Sequence, residues 1–181
     1  MMRFVVLSLL LITCIFVLSV GAATDGKEKM NKYYKRTGQK YLDMVAKSEH
    51  VIKLKSGMLV EILKSGSDVS AKSPNLSDEC EVTYSGTLKD GTPFDKGTTS
   101  FAPNQVIKGW TEAMQLMGEG DKWKLHIPYN LAYGDRGSPP KIPPYSVLVF
   151  DIEIHKVKSG GKPVSEARNA LKEATLSKED L

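Results

Sequence analysis

The chain has 181 residues, 41% of them apolar and 25% charged, with a formal net charge of +4. That length suits one domain with extensions, and the composition is that of an ordinary folded protein rather than a disordered or fibrous one. The charge is too mild to argue for a nucleic-acid partner.

The front of the chain departs from this average. Met1-Met2-Arg3 is a short positive region, Phe4 to Val20 is an uncharged apolar run, and Gly21-Ala22-Ala23 supplies small residues before the polar Thr24-Asp25. The pattern predicts a secretory signal peptide over residues 1–23, cut near Ala23. The run is slightly long for such a peptide, so an uncleaved anchor is the rival reading. No second apolar run is long enough to span a membrane. Cys14 falls within the signal, which leaves Cys80 alone and excludes an internal disulfide framework. Cys80 alternates with Val82 and Tyr84 and reads as a small buried hydrophobe.

Residues 24–53 are expected to form a helical extension. Met30, Tyr33, Tyr34, Thr37, Tyr41, Met44 and Val45 recur at three- and four-residue steps among lysines. Gly38 weakens the middle. The basic face suits a membrane surface or a partner helix, or simply solvent, with the helix packed loosely on the domain.

The main domain is expected over residues 54–158. Met58 to Leu63 reads as an entering strand, after a break at Ser56-Gly57. Asn75-Leu76-Ser77 is an N-glycosylation sequon on a surface loop, so Asn75 is a possible glycan site. Glu79 to Leu88 is a strand, Lys89-Asp90-Gly91-Thr92 a hairpin turn, and Phe94-Asp95 the start of the return. Lys96 to Ser100 reads as a short polar loop. From Lys108 the period turns helical, with Trp110, Ala113, Met114 and Met117 on one face until Gly118-Glu119-Gly120. Lys122 to Ile127 is a strand whose Trp123, Leu125 and Ile127 point inward, while Lys124 and His126 point out; His126 and His155 are expected to be exposed. Pro128 to Pro144 is a long Gly- and Pro-rich loop of the kind that carries function. Ser146 to Val157 is the last strand. Residues 159–181 form a charged tail, with a short helix over Ser165 to Thr175, expected to be mobile. The order implies an α+β fold, a curled antiparallel sheet wrapped around one short α-helix.

The chemistry sits around Val106-Ile107-Lys108-Gly109-Trp110. Tyr84, Phe94, Tyr133 and Phe150 bring aromatic rings toward it from flanking pieces. No nucleophile-base pair, metal-ligand cluster or phosphate loop lies among them. What remains is an aromatic and aliphatic pocket with a few polar handles, suited to an apolar ring beside a peptide bond, of which proline is the natural candidate.

Val82-Thr83-Tyr84-Ser85-Gly86, Asp90-Gly91-Thr92-Pro93-Phe94-Asp95, Val106 to Trp110, Leu131-Ala132-Tyr133-Gly134 and Ile142-Pro143-Pro144 through Phe150 occur in an order and spacing that resembles the FK506-binding-protein (FKBP) type of peptidyl-prolyl cis-trans isomerase. The match covers roughly residues 54–157, and the approach from Tyr41-Leu42 to Met58 looks like the macrophage infectivity potentiator branch. The resemblance implies a pocket floored by Trp110 and walled by Tyr84, Phe94, Val106, Ile107, Tyr133, Ile142 and Phe150. In it Asp95 would be the polar handle, Tyr133 a hydroxyl donor and the Ile107 N–H a donor to a ligand carbonyl. It implies no cofactor and no metal. Its partners would be proline-containing peptides and proteins, with FK506- or rapamycin-like macrolides as ligands; members of the branch are often dimers through a long helix, and the short extension here points instead to a monomer. Three positions depart from the family pattern. The segment after Asp95 is shorter, and the arginine that commonly pairs with that aspartate is missing, with Lys96 as the nearest substitute. Thr99 stands where a second aromatic is common. Ser138-Pro139-Pro140-Lys141 replaces a more apolar loop tip. A binding module or chaperone that uses the same pocket and the N-terminal helix, with isomerisation weak or incidental, is the competing function. The signal implies the secretory pathway, with a secreted or periplasmic end point; Lys178-Glu179-Asp180-Leu181 keeps the ER lumen as the alternative.

Overall fold

The computed structural model describes residues 26–176 apart from Ser67 and Val69. The expected signal peptide and the terminal tetrapeptide lie outside the described residues.

In chain order, helix α1 spans 26–45. Strands β1 (Val51–Lys53), β2 (Leu59–Lys64), β3 (Lys72–Ser73), β4 (Cys80–Leu88) and β5 (Pro93–Phe101) follow, then helix α2 (Lys108–Leu116), β6 (Lys122–Ile127), β7 (Leu148–Val157), β8 (Lys162–Pro163) and helix α3 (Val164–Ala174). The main sheet has the order β1-β2-β6-β7-β4-β5, and all its pairings are antiparallel. β3 and β8 form a separate ribbon. The α+β fold read from the sequence is the observed one.

Period-two alternation explains the sheet. Val60, Val82, Trp123, Leu125, Ile127, Leu148, Phe150, Ile152 and Ile154 all face one side and are buried. α2 covers them with Trp110, Ala113, Met114 and Met117 in the same cluster. In β7 the buried phase passes from Ile154 to Val157, because Val82 pairs with Ile154 while Glu81 pairs with Lys156, leaving His155 as a bulge. Gly91, at φ +88°, closes the β4–β5 turn, a backbone state that glycine enters without penalty.

Four expectations need correction. Lys96 to Ser100 is not a loop but part of β5, paired from Ser85↔Lys96 to Glu81↔Ser100. Its polarity follows from its place at the edge of the sheet, where β-branched threonines suit the pleat and one backbone edge meets water.

The second correction concerns the face of α1. Met30, Tyr33 and Met44 are exposed, whereas Gly38 and Leu42 are buried against the outer side of the sheet. Leu42 packs with Leu59 and Val147. Gly38 does not merely weaken the helix. A side chain there would come within 3.0 Å of Val147 Cγ2, so the missing Cβ is what lets α1 sit close.

The third is His126, which lies on the outer face as its alternation predicts but is only 3% exposed. Tyr41 of α1 covers it. The fourth is the C-terminal helix. Ala167 and Leu171 of α3 are buried, and Arg168 pairs with the fully buried Asp121 through a 2.6 Å contact, so this helix is docked rather than mobile.

Candidate functional site

The core does not end flush with the surface. At one end of α2 the rings stop short of filling the space and leave a cavity of about 640 Å³. It is lined by all nine residues expected from the sequence: Tyr84, Phe94, Asp95, Val106, Ile107, Trp110, Tyr133, Ile142 and Phe150. The volume lies within the range of small-molecule sites.

Trp110 forms the floor. It occupies the first turn of α2 and is 4% exposed. Three rings meet it edge-on: Tyr84 at 5.2 Å, Phe101 at 6.0 Å and Phe150 at 5.1 Å between centroids. Phe94 in turn meets Phe150 at 5.3 Å. Edge-to-face contact is the favoured arrangement of aromatic quadrupoles and fixes each ring by its neighbours. Gly86 makes this cluster possible. A Cβ there would lie 2.6 Å from Phe150 and 2.7 Å from Phe94.

The polar edge is built on β4 and β5. The Tyr84 hydroxyl donates to Asp95 Oδ2 at 3.0 Å, and the Lys96 backbone N–H donates to Oδ1 at 2.9 Å. Lys96 therefore serves Asp95 through its backbone, and no ion pair joins the two among the described residues. Partial burial, followed by the bond to Asp95, raises the Tyr84 hydroxyl above its ordinary pKa, so it remains a donor. Ile107 precedes α2 in an extended conformation. Tyr133 is 42% exposed at the cavity mouth.

Sequence reasoning left out Phe101, Gln105 and the loop tip from Ser138 to Lys141 as wall residues. Phe101 ends β5, and its aromatic character at a strand end was the available signal. The loop tip reaches the pocket because Ser138 and Ile142 exchange backbone hydrogen bonds of 2.8 and 3.0 Å, while Lys141 Nζ donates to the Phe94 carbonyl at 3.0 Å. That bond spans two distant segments and has no sequence pattern.

Nothing in this arrangement performs acid–base or covalent chemistry by itself. Cys80 is the only described cysteine, and burial pushes its thiol up to about 12, so it stays a thiol.

Residues 70–155 match the family model described as FKBP-type peptidyl-prolyl cis-trans isomerase. The macrophage infectivity potentiator of Trypanosoma cruzi is 43% identical over 187 residues, a match covering 98% of this chain and 94% of the relative. The chain belongs to the FKBP-type peptidyl-prolyl cis-trans isomerases. It is also similar to the FKBP-type 22 kDa isomerase of Escherichia coli, at 42% identity over 66% of this chain and 59% of that one. Among solved structures, FkpA from Escherichia coli superposes with a TM-score of 0.68 at 37% identity, covering 78% of this chain and 65% of that chain. As an FKBP-type domain, the protein acts on X-Pro peptide bonds. No described helix is long and apolar enough to cross a membrane.

Proposed function

We propose that the cavity over Trp110 is where the X-Pro bond rotates, and that the clients are exported proteins. The observation that carries this reading is a ring-lined floor beside the Tyr84–Asp95 edge, with no nucleophile–base pair among the lining residues. Rotation about an X-Pro bond faces a barrier of about 18–20 kcal/mol. At the twisted transition state the amide loses resonance, its C=O becomes less polar, and its nitrogen becomes a better acceptor. An apolar, water-poor cavity favours that state over the planar one, with no proton transfer and no covalent bond. The proline ring lies on Trp110 between Tyr84, Phe94, Val106, Ile142 and Phe150. The Ile107 N–H and the Tyr133 hydroxyl bind substrate carbonyls, and Asp95 keeps Tyr84 in place.

The same cavity would take FK506- or rapamycin-like macrolides. The apolar leader at residues 4–20 supports export, to a periplasm or the medium, with retention in the ER lumen as the alternative. We read the extension at 24–53, the isomerase domain at 54–158 and the tail at 159–181 as parts of one monomeric protein. Asn75 is exposed, and its side-chain amide uses one hydrogen to donate to Asp78 at 2.8 Å, which leaves the other for a glycan linkage. A second reading, a binding module, draws on the exposed Met30, Tyr33 and Met44 of α1.

Turnover of a short X-Pro-Phe peptide, with and without FK506, tests the reading. Accelerated cis-to-trans exchange that the macrolide blocks is the expected result. Folded protein that leaves the exchange rate unchanged would move the function to the binding module.

A further inference from the structure

Two charged side chains line the cavity, Asp95 and Lys141. Their situations differ. Both oxygens of Asp95 are engaged internally, by the Tyr84 hydroxyl and the Lys96 N–H. Lys141 donates one hydrogen bond, to the Phe94 carbonyl at 3.0 Å, and no carboxylate lies within 4.0 Å of its ammonium among the described residues. An ammonium has three donors, so the remaining ones face solvent or a ligand.

The position of Lys141 is set by its neighbours. Ser138 and Ile142 pair backbone to backbone, Ile142 is 4% exposed in the core cluster, and Pro139-Pro140 stiffens the tip between them. A typical surface lysine loses much rotamer freedom when it pairs, which is why exposed ion pairs contribute little. Lys141 is itself exposed, but the bond to the Phe94 carbonyl already restrains its side chain, so an incoming carboxylate meets a held cation at a solvent-screened edge.

We propose that Lys141 is a specificity residue that favours substrates with an acidic side chain flanking the proline. The inference rests on the cavity over Trp110 being the isomerase site. The cation at the cavity mouth attracts a Glu or Asp next to the bound proline and repels a Lys or Arg there; Asp95 keeps its negative charge and acts in the opposite sense, so the preference that is read is the difference between the two.

The test uses the full chain and two sets of peptides, one varying the residue before the proline and one varying the residue after it, each with Glu, Gln or Lys. The readout is kcat/KM from exchange NMR. In at least one set the Glu peptide should exceed the Lys peptide by roughly two- to fivefold, with Gln between them and the gap shrinking in high salt. Lys141→Arg should keep the order and Lys141→Glu should invert it, an outcome that a purely structural role for Lys141 does not produce. Normal turnover with equal rates for all three residues in both sets would overturn the inference and leave the site reading intact. No turnover even of the Gln peptides would overturn the site reading, and the inference with it. A uniform loss for every peptide in Lys141→Glu would make Lys141 only a clamp between the loop and β5.

Discussion

The two faces of the main sheet are covered in different ways. On the inner face α2 is held mainly by rings and aliphatic chains, and the Tyr84–Asp95 polar edge lies where that packing runs out into the cavity. On the outer face α1 is held by a small apolar cluster of Leu42, Leu59 and Val147, together with a half-buried polar chain. In that chain the Tyr41 hydroxyl lies 2.8 Å from His126 Nδ1, and His126 Nε2 lies 2.7 Å from Glu61 Oε1. A carboxylate can only accept, so Nε2 carries the proton and Nδ1 accepts from Tyr41. Apolar packing is non-directional and can stop at an unfilled space, which becomes a binding site. Directional bonds fix one helix in one orientation, and the hollows left beside α1, about 460 and 200 Å³, are smaller and have no ring-lined floor. On the proposed reading, substrate chemistry belongs to the inner face and attachment to the outer one.

Substitutions can break this contrast. Trp110→Ala should have the largest effect, because the ring is both floor and core. We expect a fall in turnover on the order of a hundredfold and a stability loss of about 3–5 kcal/mol, read from peptide exchange and from urea unfolding of the same sample. Arg168→Ala should separate the two quantities. Asp121 would keep its bonds from the Gly66 and Gly118 amides but lose the guanidinium. Arg168 is partly exposed, so the cost should be at most about 3 kcal/mol, with turnover of the still-folded protein changed less than twofold.

A third substitution sharpens the outer face. Burial lowers the His126 pKa below its ordinary value, and the bond to Glu61 opposes this without reversing it; Lys124 and Asp151 add smaller, opposed effects. The unfolded chain therefore takes up this proton first as pH falls. Stability should decline from about pH 6.5 down to the folded value and gain no further penalty below it. His126→Gln should flatten the urea midpoint between pH 7 and 5.5 relative to wild type, without changing peptide turnover at pH 7. The smallest effect concerns Cys80. With its thiol pushed up to about 12, the folded protein should not react with a disulfide reagent at pH 8, and reaction should begin only on unfolding.

The inner face was legible in the sequence because it follows periodicity. Trp123, Leu125 and Ile127 alternate, Trp110, Ala113 and Met114 follow a helical step, and these patterns place the core and the ring cluster without coordinates. The outer face was not. Its alternation put His126 on the correct side, but only the docking of α1 decides whether that side is wet. The same docking hid the role of Gly38, whose importance lies in a neighbour far away in the chain. The edge strand β5 was misread because Lys96-Gly97-Thr98-Thr99-Ser100 is polar for an edge reason rather than a loop reason. Within the site, Lys141 escaped because its partner is a backbone carbonyl, which has no residue type to recognise.

The central claim is that proline binds on the inner face, over Trp110. Titrating isotope-labelled protein with a short X-Pro-Phe peptide, and with the same peptide carrying Ala for Pro, tests it most directly. The account predicts shifts at the Trp110 indole, the Ile107 amide and Tyr133 with the proline peptide only, while Tyr41 and His126 stay unmoved. Shifts confined to α1, with the Trp110 indole unchanged, would contradict it.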